Sequence, residues 1–132
     1  MTETPAPYYA PPGPAHDAEQ VYLLLDWPPV GWRPQAARAE QYRRDARRFI
    51  EQAPPAQIVD PVHVRIRACA PDGRILNPWR VCLEPVLDVL ANAAPIIRHP
   101  SLVQSVSIER GAVGRPGYVE VWLQPEPNGA RA

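Results

Sequence analysis

Residues Pro71 to Leu90 read P-D-G-R-I-L-N-P-W-R-V-C-L-E-P-V-L-D-V-L, and this stretch decides the fold. It predicts a turn out of a strand followed by a patterned helix. Asn77 suits the N-cap, where a side-chain oxygen can accept an orphan backbone N–H, and Pro78 suits the first helical position, where its missing N–H would have no partner. Trp79, Cys82, Leu83, Val86, Leu87 and Leu90 then recur at helical spacing and are expected to face a core. The pattern runs to about Ala94, with Pro95 blocking extension. Pro85 lies inside it, and an interior proline costs about 3 kcal/mol through a lost bond and a clash. A kink or a short first segment is expected there.

Upstream, Val62 to Ala70 alternates, with Val62, Val64, Ile66 and Ala68 on one face and His63, Arg65, Arg67 and Cys69 on the other, the pattern of a half-buried strand. Before it, Tyr42, Ala46, Phe49, Ile50 and Ala53 recur at helical spacing within Gln35 to Ala53, until Pro54 and Pro55 end the pattern. Val21 to Asp26 is rich in strand formers and stops at Trp27-Pro28-Pro29, because proline cannot donate to a ladder. Downstream, Leu102 to Arg110 and Tyr118 to Gln124 read as strands joined by the glycine-rich loop Gly111 to Gly117, and a terminal hairpin is expected.

The order β-α-β-α-β-β predicts an α/β chain of the α+β kind, with a single small mixed β-sheet and both helices on one face. Val119, Val121 and Leu123 would point at the helices. His63, Arg65, Arg67, Ser105, Ser107, Tyr118, Glu120 and Trp122 would occupy the opposite face, open to solvent, a second copy or nucleic acid. Residues 1–19, with five prolines beside Tyr8 and Tyr9, form a disordered arm; residues 20–124 form the domain; residues 125–132 form a flexible tail.

The chain has 132 residues, enough for one domain with a core, and carries 14 basic and 14 acidic residues. No global field draws it to nucleic acid or an anionic membrane, so any basic surface is local. Every basic residue is Arg and Lys is absent, which fits a GC-rich coding bias. Cys69 and Cys82 lie in separate elements without zinc spacing and are expected to be reduced. With no signal segment and no apolar run near the roughly 18 residues of a spanning helix, a cytoplasmic location and no membrane partner are expected.

Element order and short motifs together resemble the RusA-like Holliday junction resolvases, small homodimeric metal-dependent endonucleases that act on four-way DNA. The likeness covers most of Val21 to Gln124 and rests on Trp27-Pro28-Pro29 after the first strand, a basic first helix, Pro71-Asp72 after the second strand, and Asp88-Val89-Leu90 late in the second helix. The resemblance implies DNA recombination and repair as context, branched or duplex DNA as partner, a homodimer, and Mg²⁺ held by an acidic D-x-D-N signature opening the second helix, with a Lys in the turns that follow and a further Asp before the third strand. Hard oxygen ligands would hold the ion, and the ion would activate water.

Here the signature region reads Arg74-Ile75-Leu76-Asn77-Pro78-Trp79-Arg80, its acidic positions falling on Asn77 and Trp79 or on Pro78 and Arg80. The Lys position falls on Leu83 or Glu84, and the later Asp near His99-Pro100-Ser101. Neutral side chains cannot replace a charged ligand, and an Arg repels the ion. No catalytic residue and no cofactor are therefore expected, and Mg²⁺ would bind only at a relocated site built from Asp72, Glu84 and Asp88, which otherwise read as solvated.

Phosphate binding needs no metal. Arg74, Arg80 and Arg98 flank the vacated position, and Arg43 and Arg47 belong to a first-helix cluster with Arg33, Arg38, Arg44 and Arg48. Glu40, Asp45 and Glu51 interleave with that cluster, and Glu40 to Arg44 is a favourable helical pair. A lone loop histidine such as His99 usually carries no chemistry. A protein-interaction or dimerisation module, with the Pro/Tyr-rich arm as a ligand for a protein partner, is the alternative from another class.

Overall fold

A computed structural model describes residues 21–52, 55, 57–75, 77–93 and 96–125, and the expected arm and most of the expected tail lie outside them. The elements are β1 (Val21–Asp26), α1 (Ala37–Ile50), β2 (Val62–Cys69), α2 (Pro78–Asp88), β3 (Val103–Arg110) and β4 (Tyr118–Pro125). The strands form one four-stranded mixed sheet in the order β1-β4-β2-β3. β2 runs parallel to β3 and antiparallel to β4, and β4 runs antiparallel to β1. This is the expected α+β domain with the expected element order.

The terminal hairpin does not form. β3 and β4 are separated by β2, so the Gly111 to Gly117 loop carries the chain over the end of that strand. Gly111 N–H donates to Ala68 O and Gly114 N–H to Ala70 O, both at 2.9 Å. A Cβ at Gly111 would sit 2.5 Å from Cys69 Sγ, and one at Gly117 would sit 2.5 Å from Pro71 Cδ, so the crossing needs glycine for close approach. Burial follows this order. Val119 to Leu123 is buried without interruption and fits a central position, whereas β3 is mostly exposed or half-buried and fits an edge.

One face of the sheet holds the core. Leu23 and Leu25, then Val62, Val64, Ile66 and Ala68, then Val119, Val121 and Leu123 pack against Tyr42, Ala46 and Ile50 of α1 and Cys82, Val86, Val89 and Leu90 from the second helix. Both helices therefore share a face, as their stripes require. Phe49 departs from its stripe and is 51% exposed, and Trp79 opens its helix at 36% exposure. Leu87, expected in the core, is half-buried against its margin.

α2 tolerates Pro85, which is buried, and departure from α geometry comes later, in a π-turn over Val89–Ala93. Ala94 and Pro95 lie outside the described residues. Asn77 occupies the N-cap position but makes no side-chain cap bond; its carbonyl accepts from Arg80 N–H at 3.0 Å. α1 is shorter than the expected Gln35 to Ala53, ending at Ile50 before a turn at Glu51 and Gln52. β4 includes Pro125, one residue into the expected tail.

Candidate nucleic-acid interface

A parallel pair joined by a helix brings the C-terminal ends of both strands to the helix N-terminus, the place where such units collect ligands. β2 and β3 do this here, so Cys69, Arg110, the Pro71 turn and the first turn of α2 meet at one end of the sheet. That first turn contains no acidic residue. Trp79 lies there with its ring partly in solvent, and the Arg110 guanidinium stands 5.6 Å from the ring centroid while donating to Ile75 O at 3.3 Å. Arg80, next along the helix, is exposed.

Asp72 organises the turn beside them. Its Oδ1 accepts the backbone N–H of Arg74 at 2.9 Å, and the Arg74 guanidinium lies 3.2 Å from Oδ2 with a side chain 91% exposed. These bonds, the backbone one first, hold the Asp72 carboxyl below the usual carboxylate range. Sequence reasoning found Arg74 and Arg80 but not the Trp79–Arg110 pair. The signal for that pair was the parallel placement of β3, and the expected hairpin obscured it.

The other candidates go elsewhere. Arg43 Nη1 donates to Asp88 Oδ2 at 2.8 Å and Nη2 to Pro34 O at 2.9 Å, so this guanidinium ties α1 to the end of α2. Asp88, read as solvated, is instead paired, and it also accepts from Asn92 at 2.8 Å. Arg47 Nε donates to Ala93 O at 2.7 Å, closing the π-turn. Arg98 is exposed near that same end, because Ile97 N–H bonds Leu90 O, and Leu90 lies about 15 Å along the helix from Arg80 at the usual rise. The expected Glu40–Arg44 pair is present at 3.6 Å. His99 Nδ1 accepts Ser101 N–H at 3.1 Å and so caps the short turn Pro100–Leu102.

The Mg²⁺ implied by the resemblance does not fit these residues. Asp72 is held by Arg74 and Asp88 by Arg43, while Glu84 projects from the exposed side of α2. Among the described residues no group of three or more His, Cys, Asp or Glu side chains could hold a metal ion.

The sheet face away from the helices carries the expected residues, but it is not the open platform their sequence suggested. Trp122 is 2% exposed, with Arg65 and Arg67 guanidinium carbons 4.6 and 5.2 Å from its ring centroid and Tyr22 packed at 5.3 Å. Its Nε1 is buried and makes no hydrogen bond among the described residues. Glu109 pairs with Arg67 at 2.9 Å and Arg65 at 3.3 Å, and the buried Glu120 accepts from Tyr22 at 2.8 Å. Burial, then that bond, push the Tyr22 phenol above its ordinary pKa. His63 bridges Ser105 at 2.6 Å and Ser107 at 3.0 Å. A ring covered on both sides cannot stack on a base, and arginines already paired with carboxylates offer phosphate little.

Both cysteines are free and buried, as expected for packed thiols, and burial pushes the Cys82 thiol up to about 12. Among the described residues no helix is long and apolar enough to cross a membrane. No protein-family model matches the chain, and no curated protein matches it.

Proposed function

We propose that this chain is a RusA-like DNA-binding protein, related to the Holliday junction resolvases of DNA recombination and repair, that acts as a cytoplasmic homodimer without metal-dependent cleavage. One observation carries the reading. Where the resemblance calls for carboxylates, the first turn of α2 offers none, and exposed Arg74 and Arg80 stand with the Trp79–Arg110 pair. Guanidinium groups at a helix N-terminus favour phosphate oxygens, and an exposed indole backed by a cation suits an unstacked base at a branch point. The self-neutralised sheet face takes no part.

The test is binding and cleavage of a labelled four-way junction and a matched linear duplex, with Mg²⁺, Mn²⁺ or chelator. Junction binding that survives chelator, without cut products, is expected. Arg80→Ala should weaken it and reduce the salt slope by about one. Absence of binding at low salt would overturn the reading, and metal-dependent cutting would overturn the loss of catalysis.

A second reading, a protein-interaction or dimerisation module, is favoured by β3. Among the described residues this strand pairs only with β2, leaving one edge able to accept another strand. Failure to bind DNA, together with a dimer broken by proline within β3, would favour it.

A further inference from the structure

A cleft of about 400 Å³ opens where β1 ends and β4 begins, bounded by α1 and the Arg115 to Gly117 segment. Its size suits one small ligand. Tyr42, Asp45, Ala46 and Phe49 line it from α1 at spacings of three and four, hence from one helix face. Tyr42 sets the floor, its hydroxyl donating to Asp26 O at 2.6 Å. Phe49 and Tyr118 supply aromatic walls, and Phe49 stays 51% exposed although its helix has a core to fill.

The rim carries two carboxylates and one guanidinium. Asp45 accepts from Gln41 at 2.7 Å and lies 3.9 Å from Arg48. Arg115 is close enough to Asp72 to help lower that carboxyl. Asp26, by contrast, lies at the cleft's edge, where its backbone oxygen meets Tyr42, and its exposed carboxylate has neither ion pair nor hydrogen bond among the described residues. Apolar walls, aromatic faces and an unpaired carboxylate together are complementary to an organic cation.

We propose that this cleft binds a small organic ammonium: a compact apolar body of about one ring with a single positive charge, its cation against Asp26 and its body between Phe49 and Tyr118. DNA phosphate is excluded by the two carboxylates. Residues 1–20 of the chain are excluded by charge too, since they carry Glu3, Asp17 and Glu19 and no Arg or Lys. The site is distinct from the α2 N-terminus and does not depend on DNA binding.

The test titrates the full-length, isotope-labelled protein with 2-phenylethylammonium, and in parallel with 2-phenylethanol and phenylacetate, following NMR shifts. Saturable shifts confined to Leu24, Asp45, Phe49 and Tyr118 are expected, with affinity at least tenfold above that of either control. Asp26→Asn should lower the ammonium affinity at least fivefold, and so should Phe49→Ala, an exposed position whose loss leaves the fold intact. Equal response to all three compounds, shifts elsewhere, no saturation, or unchanged affinity in both variants would overturn the proposal.

Discussion

Arg43 and Asp88 meet at 2.8 Å across the gap between α1 and the last turn of α2, each side chain less than one-fifth exposed. The pair links two helices that share one sheet face, and it stands beside the Arg47 bond to Ala93 O. Asp88→Asn is expected to lower stability by about 1–2 kcal/mol, because a partly buried guanidinium loses its charged partner. A double-mutant cycle with Arg43→Ala should show a coupling of about 0.5 kcal/mol or more. Simple additivity in urea melts would show that the pair is ornamental.

Leu90 and Leu87 sit one turn apart, but only Leu90 is fully buried. Leu90→Ala should therefore cost about 2–5 kcal/mol, and Leu87→Ala clearly less. Equal losses in chemical denaturation would mean that the helix is rotated from the orientation described.

The loop crossing predicts an asymmetry between glycines. An added methyl at Gly117 meets Pro71 Cδ at 2.5 Å and Pro71 N at 2.8 Å, whereas at Gly73 its nearest neighbour is Val113 Cγ2 at 3.6 Å. Gly117→Ala should destabilise by about 1–3 kcal/mol, the usual range for overpacking. Gly73→Ala should stay within about 0.5 kcal/mol of the parent. Matching thermal midpoints for the two variants would argue against the crossing.

Acid should weaken the sheet's outer face. The hydrogen bond from Arg67 holds the Glu109 carboxyl below its ordinary value. A lowered carboxylate pKa contributes stability that is present above the unfolded value, about 4.3 for Glu, and is lost as pH falls through the folded one. Glu109→Gln should thus reduce stability at neutral pH and flatten the acid limb of a stability profile below about pH 4. A variant whose acid limb superimposes on the parent's would remove Glu109 from the linkage.

Local chemistry was legible in the chain itself. Alternation in Val62 to Ala70 gave the strand and its faces, and Asn77-Pro78 marked the start of α2 to the residue. The absence of acids in that first turn was equally visible, because it depends only on which residues follow Pro78. These readings rest on sterics and periodicity that act within a few residues.

What only tertiary structure decided was which segments became neighbours. Periodicity is blind to strand order, so it could not place β4 between β1 and β2, nor foresee that Arg110 would arrive over Trp79. It likewise gave the right face to Trp122 but not its burial, which comes from Arg65 and Arg67 on an adjacent strand. Asp88 was misread for the same reason, since its partner lies 45 residues away. Burial and ion pairing belong to contacts distant in sequence, and these were set by strand pairing, which put β4 and β2 at the centre of the sheet and left the more apolar β1 at an edge.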